Sequence, residues 1–241
     1  MNAMIFAAGL GTRLQPLTNN VPKALVYVNK QTMLERCILF LADKGVSKMV
    51  INIHHHAEKI VQFIENHGYF GLDIYFSDER AELLDTGGGL LKAEKFLKEE
   101  EDFIAINVDV LSNIDLNKMI EFHKSNKALV TLAVRNRPES SRQLLFDDSG
   151  FLKGRKNKKT NESILLENNT ELTELAFSGI HIINKEWFQL QTLSGKFSII
   201  ESYLELAKTQ KIIAFRHDED YWFDLGSVEK IKIAETFLNG I

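Results

Sequence analysis

Apolar residues recur in two rhythms along the 241-residue chain. A continuous apolar run, Ala3-Met4-Ile5-Phe6-Ala7-Ala8, ends in Gly9-Leu10-Gly11-Thr12, which predicts a strand buried on both faces and closed by a turn. Similar runs predict strands over 48–53, 72–76, 103–108 and 128–134. Between them, apolar positions spaced three and four apart predict helices over 33–44, 57–66, 90–97 and 116–125, the first stopped by Gly45. Strand and helix therefore alternate through residue 134. That order calls for a three-layer, Rossmann-like α/β architecture: a mostly parallel sheet with helices on both faces. Farther on, apolar runs at 143–146 and 151–153 flank Asp147-Asp148-Ser149-Gly150 and predict a hairpin. A strand at 177–183, a helix at 199–208, a closing strand pair at 212–216 and 221–223, and a helix at 230–238 complete the pattern. No repeat or linker interrupts it, so residues 1–241 read as a single domain with a small antiparallel insertion near 140–180.

Composition narrows the function classes. Lys and Arg number 29 against 33 Asp and Glu, a net charge of −4, which excludes a general nucleic-acid binder. No apolar run reaches the ~18–20 residues of a membrane span. A single cysteine, Cys37, excludes a disulfide framework. No basic segment precedes the first apolar run, so no secretion signal is expected. The expected protein is cytoplasmic, a monomer or small homo-oligomer, with no nucleic acid or membrane as partner.

Ligands of open α/β sheets bind at the carboxyl ends of the strands. The first strand delivers Ala8, Gly9, Gly11, Thr12 and Arg13, and Lys23 follows in Val21-Pro22-Lys23-Ala24. Glycines let a backbone approach an anion and aim N–H groups at it, while Arg13 and Lys23 suit phosphate oxygens. The spacing is neither the dinucleotide fingerprint nor a Walker loop, because no Gly-Lys-Ser/Thr follows. The strand at 103–108 ends in Asn107-Val108-Asp109, and Asp224 lies between aromatics and Gly226. A carboxylate at such a strand end is costly to desolvate unless it caps a helix, pairs with a cation or binds metal. Two carboxylates with a triphosphate would suit Mg²⁺. Thr86-Gly87-Gly88-Gly89 is the densest glycine cluster, and a backbone surface bordering a flat ring explains it better than a plain loop.

These blocks in this order (Ala7 to Leu14, Pro16-Leu17-Thr18, Pro22-Lys23-Ala24-Leu25, Asp85 to Gly89, the Asp109 strand end, Phe177-Ser178-Gly179-Ile180 and Trp222 to Gly226) resemble the sugar-1-phosphate nucleotidyltransferases over almost the whole chain. Within that family, the Thr-Gly-Gly-Gly block and compact length most resemble the N-acetylmuramate-1-phosphate uridylyltransferases. The resemblance implies the nucleotide-diphospho-sugar transferase type of fold and the joining of a nucleoside monophosphate, from UTP first, to a sugar 1-phosphate. It implies that Ala8, Gly9, Gly11 and Thr12 wrap the nucleoside triphosphate, with Gly87 and Gly88 bordering the base. It further implies that Arg13 binds the leaving pyrophosphate, that Lys23 bridges the two substrates' phosphates, and that Asp109 and Asp224 hold Mg²⁺. Asn107, Glu167 and Gly179 are the implied sugar contacts. Val108 stands where many members have glycine, and Arg80 or Glu82 occupies the neighbourhood of the usual base-reading glutamine. Guanylyl transfer to mannose or heptose 1-phosphate, phosphocholine cytidylyl transfer and a non-catalytic nucleotide-binding subunit are the alternatives.

Other features read more plainly. Within His54-His55-His56 only alternate rings can converge on one face, so a pocket-edge or capping role is expected over zinc. The basic run Lys153 to Lys159 is expected as a solvated loop that could attract phosphorylated substrate. Cys37 and His181 are expected in the core, and Trp222 and Phe223 in the core beside the closing strand, with lining of the sugar site as their alternative.

Overall fold

The computed structural model describes residues 1–167 and 171–240. The strands are β1 (Asn2–Phe6), β2 (Tyr27–Val28), β3 (Gln31–Thr32), β4 (Lys48–Ile53), β5 (Asp73–Asp78), β6 (Asp102–Asn107), β7 (Val110–Ser112), β8 (Val130–Arg135), β9 (Arg142–Phe146), β10 (Leu152–Asn157), β11 (Glu162–Leu165), β12 (Thr173–Asn184), β13 (Ile212–Arg216) and β14 (Trp222–Asp224). The helices are α1 (Met33–Asp43), α2 (Ala57–Asn66), α3 (Asp85–Lys92), α4 (Glu94–Leu97), α5 (Leu116–Asn126), α6 (Trp187–Leu190), α7 (Ile199–Leu206) and α8 (Val228–Leu238).

Every residue of β1 is buried, as its continuous apolar run requires of a central strand. It lies between β6 and β4, parallel to both, with β5 beyond β4. Successive side chains alternate between faces. Ala3 and Ile5 accordingly join one core with α1, α2, α5 and α8, while Met4 and Phe6 join a second core with α3, α4, α6 and α7. The expected three-layer α/β order is what forms. Helix α1 starts with an N-cap, the Thr32 hydroxyl accepting from the Glu35 amide at 3.1 Å.

β12 organises the other half. Its C-terminal part pairs antiparallel with β6, its middle with β8, and its first residues with β9. The register breaks between Phe177 and His181, where Gly179 takes φ +78°. This bend sends β9, β10 and β11 out as the expected antiparallel extension. Three expectations are corrected here. The segments at 212–216 and 221–223 do not pair with each other: β13 joins β8 in the main sheet, and β14 pairs with β7 in a separate ribbon. The Arg135 guanidinium causes the split by donating to the Asp220 and Asp218 carbonyls at 2.6 and 3.0 Å, which carries the chain across. The basic run is only partly a solvated loop: Leu152–Asn157 forms β10, Lys153, Lys156 and Lys158 ion-pair with Glu167 and Glu174, and Lys158 and Lys159 lie in the exposed turn that follows. Helix α3 begins at Asp85 rather than at residue 90, so the glycine cluster forms its first turns.

Candidate active site at the carboxyl ends of β1 and β6

A cleft of about 910 Å³ opens at the carboxyl ends of β1 and β6 and runs along the inner face of the β9–β11 extension. Arg13, Asn107, Asp109, Gly179 and Asp224 line it, so residues far apart in sequence meet on one surface.

The turn after β1 is held from behind. The Asn52 side chain accepts from the Ala7 and Ala8 amides at 2.6 and 3.2 Å and donates to Glu79 at 2.7 Å. Glu79 is fully buried, and its other oxygen accepts from the Leu84 amide at 3.0 Å. Gly11 adopts φ +67°, and Thr18 donates to its carbonyl at 2.8 Å. Gly9 has nothing within 4 Å of where a Cβ would stand. Packing therefore gives no reason for glycine there.

The β7–β14 ribbon fixes the two carboxylates. Asp224 lies opposite Val110, and the Leu225 amide donates to the Asp109 carbonyl at 2.8 Å. Lys23 ion-pairs with Asp109, and Lys230 contacts Asp224 at 2.5 Å. A Cβ on Gly226 would lie 2.7 Å from Asp224 Oδ1 and 2.8 Å from Arg13 Nη2, so glycine there lets guanidinium and carboxylate approach. Burial pushes the Asp224 carboxyl up, but the Lys230 hydrogen bond and charge, with Lys23 and Arg13, outweigh it and hold the group below the usual range.

The glycine cluster faces away from the cleft. Cβ atoms on Gly87, Gly88 and Gly89 would lie 2.2 Å from the Phe197 ring, 2.1 Å from the Gly195 carbonyl oxygen and 2.6 Å from Glu79. This packing alone accounts for three glycines, so the base-bordering role of Gly87 and Gly88 rests on the resemblance. Their neighbours Asp85 and Thr86 do line the cleft, Asp85 with φ +60°. Arg80 is turned outward onto Asp78 and Glu58. Glu167 is not brought to the site either; it is exposed and ion-paired with Lys153 at 3.2 Å. His56 caps α2 only through its left-handed backbone, with no side-chain bond.

Sequence reasoning missed several residues. Arg137 lines the cleft with its guanidinium 3.8 Å over the Trp222 ring and donates to the Phe177 carbonyl at 2.9 Å. Trp222 in turn donates to the Ser178 carbonyl at 2.8 Å and lines the cleft, which is the alternative, not the first expectation, that the sequence offers for it. Asn52 and Glu79 carried one available signal: polar residues at or just beyond the ends of apolar strands.

A model of the nucleotidyl transferase family matches residues 2–239. D-glycero-alpha-D-manno-heptose 1-phosphate guanylyltransferase of Aneurinibacillus thermoaerophilus is 30% identical, with 98% of this chain and 97% of that protein covered. N-acetylmuramate alpha-1-phosphate uridylyltransferase of Caulobacter vibrioides is 29% identical, with 98% and 96% covered. The crystal structure of HddC from Yersinia pseudotuberculosis complexed with GMP-PN has a TM-score of 0.79 at 25% identity, covering 98% of this chain and 99% of that one.

Proposed function

We propose that this chain, which belongs to the nucleotidyl transferase family, transfers a nucleoside monophosphate from UTP to a sugar 1-phosphate, releasing pyrophosphate and forming a nucleotide sugar. The observation that carries the reading is the meeting of Arg13, the Lys23–Asp109 pair and Asp224 at one end of the cleft. The acceptor's phosphate oxygen attacks the α-phosphorus in line, and the bond to the β-phosphate oxygen breaks. No covalent enzyme intermediate is needed, so catalysis is positioning and charge neutralisation.

Lys23 lies between the carboxylates and the glycine turn, where its ammonium can hold the α-phosphate and the acceptor phosphate together. Arg13 faces the leaving pyrophosphate. The turn from Ala8 to Thr12 wraps the triphosphate, with Asn52 fixing its start. Asn107 and Gly179 border the sugar, and Asp85 and Thr86, which line the cleft beside Gly87 and Gly88, border the base.

Among the described residues no group of three or more His, Cys, Asp or Glu could hold a metal alone. Two carboxylates, Asp109 and Asp224, stand together at this end of the cleft and would suit Mg²⁺ alongside phosphate oxygens, the ion taking the place of the ammonium that each now holds. When bound, Mg²⁺ would neutralise charge on the phosphate oxygens. On this reading the enzyme works in the cytoplasm and supplies activated sugar for cell-wall synthesis. GTP is a second donor reading, favoured by the guanylyltransferase relative and the GMP-PN complex.

Pyrophosphate release with Mg²⁺, across five nucleoside triphosphates and several sugar 1-phosphates, tests the proposal. Turnover is expected with UTP, and silence with every pair refutes transfer. Asp109→Ala and Lys23→Ala should fold and lose roughly 10²–10³ in rate, as removal of one charged transition-state contact does. Near-normal release by either variant would remove its role.

A further inference from the structure

We propose that the face of β9 and β10 is a subsite for a second anionic group on the acceptor, so that the preferred sugar 1-phosphate carries a carboxylate or a further phosphate away from its anomeric carbon. The inference rests on the sugar-phosphate transfer proposed above.

Besides Arg13, the cleft is lined by Arg137, Arg142 and Arg155. Three of the lysines around Arg155 are neutralised inside the chain. Lys153 pairs with Glu167, and Lys156 and Lys158 pair with Glu174 at 2.7 and 3.0 Å. Among the described residues, no carboxylate lies within ion-pair distance of the three arginines, whereas Arg80 and Arg216 are both paired.

Strand register explains the placement. Arg142 pairs with Asn157 and Leu144 with Arg155. Residues two apart on a strand share a face, so Arg142 and Arg155 are diagonal neighbours on one surface. Glu162, opposite Asn157 on that face, accepts from Thr160 at 2.8 Å and pairs with neither arginine. Two like charges side by side with no counterion are unfavourable, and a ligand anion reverses the sign. Arg137, clamped between Trp222 and the Phe177 carbonyl, continues the positive wall toward Asp224. Neutral hydroxyls need no such wall. Guanidinium forks match carboxylate and phosphate oxygens.

Calorimetric titration of the full chain with glucose 1-phosphate, glucose 1,6-bisphosphate and glucuronic acid 1-phosphate tests the subsite without requiring turnover. At least one doubly anionic acceptor should bind about tenfold or more tighter than glucose 1-phosphate, a difference of about 1.4 kcal/mol. The two charged ligands separate phosphate from carboxylate. In the Arg142→Gln/Arg155→Gln double variant that ratio should collapse to within about threefold. Both side chains are exposed, so an unchanged melting temperature should confirm the fold. Equal binding of all three ligands, binding of none, or a ratio that survives the double substitution overturns the subsite. Nucleotide-sugar formation is measured separately, so an intact binding ratio without transfer would count against the proposed reaction and not against the subsite.

Discussion

Two glycines in the same family of blocks exist for opposite reasons. Gly9 is exposed and meets nothing where a side chain would stand, whereas Gly88 would drive a Cβ into a backbone carbonyl. If Gly9 is glycine only because a phosphate chain passes over it, Gly9→Ala should leave stability alone and weaken nucleotide binding. The expected result is an unchanged urea midpoint with KM for the nucleoside triphosphate raised about tenfold, or roughly 1.4 kcal/mol. An unchanged KM would return Gly9 to an ordinary turn residue. Much at this scale was legible: Arg13, Asp109 and Asp224 follow from the ends of strands, Asn107 and Gly179 from the family resemblance, and all line the cleft. Residues that act through a partner were not. Asn52 and Glu79 have meaning only as a pair, and their pairing spans β4 and the end of β5.

At the level of elements, long periodic segments formed where their apolar rhythm put them, and short strands found partners that no local pattern names. β7 and β14 have three residues each, and their pairing is set by the Arg135 clamp and by Trp222 and Asp224 having to face the cleft. β10 was legible only at its start, 151–153, because beyond Lys153 it runs Gly, Arg, Lys and Asn with no apolar and polar alternation. Helix α3 was read late because three glycines are poor helix formers. The chain tolerates them because α3 docks on the 195–199 segment, where Phe197 accepts from the Gly87 amide at 3.0 Å and Thr86 accepts from the Ile199 amide at 3.0 Å. A side chain at 88 must push this contact apart. Gly88→Ala is expected to cost about 1–3 kcal/mol in urea unfolding, the usual range for overpacking. A change under about 0.5 kcal/mol, the range of ordinary surface substitutions, would show that the docking yields freely.

The whole molecule buries two histidines in the wall that joins the parallel sheet to its extension. His181 accepts or donates to Tyr203 at 2.6 Å and His217 to Ser178 at 2.7 Å. Burial lowers His181 to about 3, and burial with the nearby Arg135 charge lowers His217 to about 4. Both therefore stay neutral in the folded chain while the unfolded chain binds protons below about pH 6.5. Depressed folded-state values mean that their contribution is fully present above pH 6.5 and is lost as pH falls toward 4. Each proton taken up on unfolding lowers stability by about 1.4 kcal/mol per pH unit, so the pair should give a slope near 2.7 kcal/mol per unit around pH 5. Urea unfolding at intervals from pH 7 to 4.5 should show that slope, and His217→Gln should remove about half of it. A flat profile, or a variant with the parent slope, would mean that these histidines reach protons without unfolding. In that case the bend at Ser178–Gly179 opens on its own, and the wall carrying Trp222 and Arg137 moves independently of the parallel sheet.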